Sequence, residues 1–573
     1  MKTIFTFAVL ILVLTPDLDK GQSNVHNAIL VDGSKFTTLA EALAAVNNPG
    51  TILISSSAGI VPVTMNATVP PGITLAVENG AKLAIATGVR LTIQGPFQAG
   101  YYQVFTYTGS GIVAFGTGAP IAQTVYPNWF PGDDVGAQVN NAYAALPLVT
   151  ESSFGNGAQP TGIISLAGYS GEVRLSTTIS LASRRVSLIG PGSNNLTLLC
   201  QIDGDCIRIY DNHFGNLYNG MAVKGFQLAA GAGAGAESVA IHSGGIWQLH
   251  LSDLVVRDFK GTSAIGIWFD NGRFTSSSFA FTEEGIFEDI TLMNNRTGWR
   301  FSAEGSAGDA SYGYNNWRRI LFLTDTGQIG VVVDGEPTGT RGPVVYHSTI
   351  NWVFEPYNAS TTTTTAINLA DFAFVDDNHY EIYQEPTYSH VVFQFLLGNS
   401  AMFTGDGELQ FHSSHDASPL IFKLGPNAIF NVTGSVVFNN TPWCILSPGT
   451  QGGTAVLSPL TGGWGSTAKS GACSGNWNAL WMRLSAAGTG QGTNPTIAIN
   501  FNQTAHTSNP QSTWRNPPVC SLEMVGASTP PENMPLITQG DPPAITTTRA
   551  QFQVRFTPVA NASYDFLMRC TPK

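Results

Sequence analysis

Short segments in which apolar and polar residues alternate recur through the middle of the chain: CIRIY (206–210), SVAIH (238–242), GIWFD (266–270), GWRFS (298–302), GVVVD (330–334) and AINLA (366–370). Their starts lie 32, 28, 32, 32 and 36 residues apart. Alternation with a period of two marks a strand with one buried face, so the second and fourth residues of each segment point inward. The first position is always small: Cys206, Ser238, Gly266, Gly298, Gly330 and Ala366. A second alternating segment precedes several of these, as in SDLVVRDF, EDITLMNN and RRILFLTD. Strand repeats of about thirty residues predict the rungs of a parallel β-helix, in which equivalent residues stack as ladders about 4.8 Å apart. The expected outward ladder is Arg208, Ala240, Trp268, Arg300, Val332 and Asn368. The row after it is Tyr210, His242, Asp270, Ser302, Asp334 and Ala370.

Towards the N-terminus two stretches share one plan. KFTTLAEALAAVNNPGTILISS reads as a short amphipathic helix followed by a strand, and VYPNWFPGDDVGAQVNNAYAALP with GEVRLSTTISLASRRVSLIGPG repeats it. Between them, short strands with Gly turns every eight to ten residues continue the coil. After about Ser447 the chain turns Gly/Thr/Ser-rich, then alternates again as TIAINFNQ, PVCSLEMVG, AQFQVRFTP and YDFLMRC. The expected fold class is all-β. It comprises an N-terminal β-rich, β-helix-like domain at 24–120, a right-handed parallel β-helix with short capping helices at 121–446, a linker at 447–470 and a small antiparallel β-domain at 471–573.

Composition sharpens this picture. Only 11% of residues are charged, against about 25% in ordinary globular chains, and the formal net charge is −12. Nucleic acid, which demands a Lys/Arg-rich face, is thereby excluded as an expected partner. The first 23 residues open with Lys2 and then an apolar run from Ile4 to Leu14, the layout of a secretory signal and too short for a membrane span. Export to the extracellular space suits the six cysteines, and the pairings expected are Cys200 with Cys206, Cys444 with Cys473 and Cys520 with Cys570. No metal site is expected. Asn-x-Ser/Thr sequons such as Asn195, Asn295 and Asn431 are candidate glycan acceptors.

The leading segment VYPNWFPGDD…VNNAYAAL, followed by GEVRLSTTISLASRRVSLIGPG, resembles the start of the pectate-lyase-like superfamily, which includes tailspike-like and rhamnogalacturonase-like proteins. The resemblance covers about residues 120–440. Here the acidic, glycine-rich stretch after the Trp is shortened to Phe130-Pro131-Gly132-Asp133-Asp134. It implies the right-handed β-helix fold and polysaccharide as the partner, in a monomer or homotrimer. The motif is structural and brings no catalytic residue with it. Neither the polygalacturonase signatures nor the calcium-and-arginine site of the pectate lyases is matched.

Candidate chemistry therefore rests on the ladders. Asp270 and Asp334 stand two rungs apart, roughly 9–10 Å between Cα atoms, near the separation that hosts an acid, a base and a water in inverting glycoside hydrolysis. Both also open Asp-Asn-Gly and Asp-Gly turns, the commoner reason for Asp at such positions. Trp268 with Arg300 forms a sugar platform or a stacked surface pair. Tyr210 and His242 support the acids. Arg273 and Arg341, with Glu283, Glu284, Glu336 and His347, come from the long segments that follow Asp270 and Asp334. A separate acidic cluster comprises Asp376, Asp377 and His379, with Glu381 and Glu385 beyond; a solvated loop is its commoner explanation. The leading expectation is a glycoside hydrolase or polysaccharide lyase. The hydrolase needs no cofactor. A lyase would take its proton with Arg300 or His242 and would bring in Ca2+. The competing expectation is a non-catalytic, adhesin-like glycan-binding protein, whose surface would lack paired acids.

Overall fold

The computed structural model describes residues 28–116, 124–151, 156–182, 185–210, 221–271, 280–302, 310–334, 343–384 and 391–412, and beyond these the strands between 420 and 571 with a few flanking residues. The signal segment, Arg273 and Arg341 lie outside the described residues, as does Cys473 and with it the expected Cys444–Cys473 pairing.

Winding begins at the first described strand. Ala28–Val31, Gly50–Ile54, Ile73–Val77 and Phe97–Gln98 form one parallel sheet, and strands from Ile60–Val63 and from Ala67–Val69 start two more. Helix Leu39–Ala45 starts at a capping box: Thr38 accepts from the Glu41 backbone N–H at 3.2 Å, and Glu41 returns a bond to the Thr38 N–H.

The VYPNWFPGDD stretch is the joint between this coil and the next. Trp129 stacks edge-on against Phe97 and Tyr126, and its indole N–H donates to the Gly100 carbonyl at 2.9 Å. Asp134 caps helix Val135–Ala145, accepting from the Ala137 N–H at 2.8 Å and from the Ser176 hydroxyl at 2.6 Å. Gly136 is required there, since a Cβ would sit 1.9 Å from the Thr177 carbonyl oxygen. Asp134 of this motif therefore does structural work, as expected.

From Ile179–Leu181 to Trp443–Leu446, ten parallel strands form one wall. A sixteen-stranded sheet supplies the other walls. Its long strands Ala222–Ala230, His250–Arg257, Ile286–Met293 and Asn316–Thr324 each turn a corner at one left-handed residue: Gly225, Asp253, Asp289 and Arg319. Each rung visits these walls in order, and parallel crossovers of this kind wind right-handed. The inside is filled by the inward ladders Ile207–Ile241–Ile267–Trp299–Val331–Ile367 and Phe269–Phe301–Val333–Leu369, with Trp317, Trp352 and Phe354 from the facing walls.

The register differs from the expected one at a single strand. Arg208 pairs with His242, not Ala240, and His242 pairs with Trp268. The strand Val239–Gly244 thus enters two residues later than the segment SVAIH suggested. Alternation alone permits either position, and the small-residue row decides. A Cβ on Gly266 would lie 2.7 Å from the Gly298 carbonyl oxygen, and one on Gly298 would lie 2.6 Å from that of Gly330. Ala240, not Ser238, occupies this crowded row, and the outward ladder becomes Arg208, His242, Trp268, Arg300, Val332, Asn368.

At the C-terminal end two four-stranded antiparallel sheets enclose a core of Trp464, Phe552, Val554, Tyr564, Phe566 and Met568. One of their edge strands, Thr454–Leu457, lies in the stretch expected as a linker, and another, Lys469–Ala472, begins at its end. Cys520 stands opposite Cys570 in register and is disulfide-bonded, and Cys200 is bonded to Cys206. Among the described residues no helix is long and apolar enough to cross a membrane. Asn295 is a sequon in sequence only: it is buried, donating to the Val256 carbonyl and accepting from the Phe259 N–H.

Candidate functional site

Rungs about 4.8 Å apart stack planar side chains face to face, and the outward ladder uses this spacing. The His242 imidazole lies 4.1 Å from the Trp268 ring at an angle of 5°, and the Arg300 guanidinium covers the other face at 4.7 Å. Both faces of Trp268 are therefore covered and the residue is 7% exposed, so it is a wall of the site and no open sugar platform. Its indole N–H donates to the Ser302 hydroxyl at 2.7 Å.

The ends of this stack are held by carboxylates. Asp205 accepts from His242 Nδ1 at 2.8 Å and from Arg208 Nε and Nη2 at 2.7 Å. Burial pushes the Asp205 carboxyl up, but the bonds and charges of His242 and Arg208 outweigh it and hold the group below the ordinary carboxylate range. An ionised Asp205 can only accept, so Nδ1 of His242 carries the proton in this bond. Arg300 Nε donates to Asp334 at 2.8 Å. Asp270 Oδ2 lies 3.8 Å from His242 Nε2, with Asp270 wholly buried and His242 1% exposed. Behind them Tyr312 donates to the Phe269 carbonyl at 2.8 Å, and burial, reinforced by the nearby Asp270 charge, pushes its phenol well up.

A cleft of about 270 Å³ opens beside the stack, lined by Gly204, Asp205, Arg208 and Glu237 on one side and by Val239, Ser263, Ile265, Trp268 and Arg300 on the other. Val239, Ile265 and Trp268 form an outward apolar floor separate from the main core. The loop closed by the Cys200–Cys206 disulfide feeds this cleft twice. Asp205 lines it directly, and Asp203 accepts from the Glu237 backbone N–H at 2.9 Å. Asp205 and Glu237 were not singled out from the sequence, because each falls one residue before an alternating segment. A search of the position preceding each alternating segment would have found them.

Asp270 and Asp334 do share a ladder two rungs apart, through Ser302, as expected. Neither lines the cleft: Asp334 is tied to Arg300, and Asp270 sits behind the stack. Tyr210 pairs with Gly244 at the far end of its strand. The cluster Asp376, Asp377 and His379 lies in strand Phe374–Gln384, not in a loop, and its members diverge. Asp376 accepts from Thr404, Asp377 pairs with His347 at 3.0 Å, and His379 pairs with Asp406 at 2.8 Å. Among the described residues no group of His, Cys, Asp and Glu is arranged to hold a metal ion.

One further cluster went unread in the sequence as a unit. At a second corner of the coil, Glu284, Tyr314, His347 and Asp377 occupy successive rungs in the left-handed region, with φ of 54°, 55°, 47° and 50°. Beneath them a buried polar ladder satisfies the bend: Asn315 accepts from Gly285 N–H, Ser348 from Asn315 N–H, and Asn378 from Ser348 N–H, at 2.7–3.0 Å. Beside the corner Glu283 Oε1 accepts from the Ser311 hydroxyl at 2.6 Å and from Tyr346 at 2.8 Å. Burial, then the neighbouring Glu283 and Tyr314, push the Tyr346 phenol up to about 12, so it remains a donor.

Fold and site together define a right-handed parallel β-helix with a lateral cleft, the architecture that the resemblance to the pectate-lyase-like superfamily implied. No protein-family model matches the chain, and no curated protein does. Among solved structures, it is similar to the tailspike of Escherichia coli bacteriophage HK620, a mutant in complex with a pentasaccharide, at 11% identity over 91% of this chain and 87% of that one, TM-score 0.30. ORF18 of Geobacillus virus E2 is 13% identical over 68% and 75%, TM-score 0.25. The polygalacturonase of Erwinia carotovora ssp. carotovora is 10% identical over 74% and 96%, TM-score 0.18. At such identities and scores no activity passes from them to this chain.

Proposed function

We propose that the chain is a secreted carbohydrate-active protein that hydrolyses a polysaccharide seated in the cleft. The observation that carries this reading is the convergence of two carboxylates, Asp205 and Glu237, and two guanidinium groups, Arg208 and Arg300, on one cleft with an apolar floor. Apolar floor and polar rim suit a sugar ring, which presents C–H faces and hydroxyl edges. Glu237, exposed at the rim, protonates the leaving oxygen. Asp205, held ionised, stabilises the oxocarbenium charge or activates the water. Asp334 orients Arg300, and Asp270 backs His242. Elimination by a lyase is disfavoured, because His242 is buried with Nδ1 committed to Asp205, and Arg300 is committed to Asp334.

A second reading, glycan binding without cleavage, has one observation in its favour: both oxygens of Asp205 already hold hydrogen bonds. Incubation with a panel of neutral and uronic polysaccharides separates the readings. Hydrolysis yields new reducing ends without unsaturated products, and Glu237→Gln lowers the rate about 10²–10⁴-fold. Retention on immobilised polysaccharide with no product from wild type would establish the binding reading instead.

A further inference from the structure

The second corner carries an exposed aromatic group whose backbone is unfavourable for the residues that occupy it. Tyr314 and His347 stand at φ 55° and 47°, where a bulky L-residue costs roughly 1–2 kcal/mol and glycine costs nothing. Tyr314 is 55% exposed. Its ring meets Tyr346 edge-on at 5.4 Å and His347 tilted at 5.4 Å, and Tyr346 meets His347 at 5.1 Å. The three rings form a small shelf. Along one side runs a polar edge: Glu283, with Ser311 bridging to the Tyr346 hydroxyl at 3.1 Å. Both bonds to Glu283 fall on Oε1, and Oε2 accepts none from the described residues.

We propose that Tyr314, Tyr346, His347 and Glu283 form a second glycan-binding subsite, selective for a neutral hexose. The Tyr314 face takes the C–H face of the ring, while Glu283 Oε2 and the Ser311–Tyr346 hydroxyl pair take its hydroxyls. Local charge sets the class of sugar. Among the described residues that form the shelf there is no Arg or Lys; His347 is paired with Asp377 at 3.0 Å, and Glu283 would repel a uronate carboxylate. The cleft, by contrast, sits at the leading ends of strands Asp205–Tyr210, Val239–Gly244 and Ile265–Asp270, whereas the shelf lies on short strands Ala310–Gly313 and Val344–Tyr346, beyond the trailing ends of that wall. The two sites are therefore separate, and the subsite does not depend on cleavage in the cleft.

The test is calorimetric titration of the full chain with cellohexaose, maltohexaose and mannohexaose, and with trigalacturonate as the anionic control. At least one neutral hexasaccharide binds and trigalacturonate does not compete with it. Tyr314→Ala weakens that binding about tenfold or more, and so does Tyr314→Gly, whose backbone suits the bend and keeps the fold intact. Glu237→Gln, at the cleft, leaves the affinity unchanged, so loss of hydrolysis and loss of this subsite are read independently. Binding of none of the three hexasaccharides overturns the proposal. So does binding that both Tyr314 variants retain, or that Glu237→Gln abolishes.

Discussion

Residues 28–116 and the central rungs are wound alike but turn their corners differently. In the first region every described residue with positive φ is a glycine: Gly33, Gly59, Gly80, Gly88 and Gly109. In the central rungs the same backbone region holds Asp253, Asp289, Arg319, Glu284, Tyr314 and His347. Glycine turns a corner without strain, so the first region shows what winding alone requires. The central corners accept strain in order to present side chains. The outward positions differ in the same sense, since the stack His242–Trp268–Arg300 and the cleft both belong to the central rungs. Both departures from plain winding, the non-glycine corners and the outward stack, thus lie in the central rungs.

The largest effect expected from breaking this contrast is on turnover. Asp205→Asn removes the carboxylate that binds both His242 and Arg208, and hydrolysis falls about 10²–10⁴-fold in a reducing-end assay. Next is the shared core. Trp299→Ala empties the centre of the Phe269–Phe287–Trp317 aromatic cluster and lowers unfolding free energy by about 3–5 kcal/mol in denaturant titration. The disulfide loop separates positioning from folding. Cys200→Ser/Cys206→Ser frees the loop that places Asp205 and anchors Glu237, so activity drops more than the loss of stability explains, measured as kcat at a temperature well below Tm.

Exchanging the corners gives smaller effects of opposite sign. Gly80→Ala, at φ 96°, destabilises by about 1 kcal/mol or more, whereas Tyr314→Gly stabilises or is neutral by thermal unfolding. Smallest is the acid limb. The folded Asp205 pKa is depressed, so its contribution to stability is complete above the unfolded value, near 4, and is lost as pH falls through the lower folded value. Asp205→Asn flattens that limb of the Tm–pH curve; an unchanged limb contradicts the assignment.

Much of the coil was legible because alternation and spacing report directly on burial: Ile267 and Phe269 point inward and Trp268 outward, as their order in GIWFD implies. The register of Val239–Gly244 was not legible, since Val239/Ile241 and Ile241/Ser243 alternate equally well and only backbone crowding at Ala240 and Gly266 distinguishes them. For the same reason the stacking partner of Trp268 was assigned to Ala240 instead of His242. The left-handed corners were hidden because Arg319 and Tyr314 carry no turn signature of their own. Of the residues that line the cleft, Trp268 and Arg300 were singled out in the sequence, whereas Asp205 and Glu237 were not, because each stands one residue before its alternating segment.

The central claim is that the cleft between Asp205, Glu237 and Arg300 is where polysaccharide is cut. The most direct measurement is a crystal structure of the Glu237→Gln variant soaked with the oligosaccharide products of wild-type digestion. A sugar ring over Val239, Ile265 and the edge of Trp268, with its glycosidic oxygen within hydrogen-bonding reach of residue 237, is the predicted result. An empty cleft, with the oligosaccharide bound elsewhere on the coil, would contradict it.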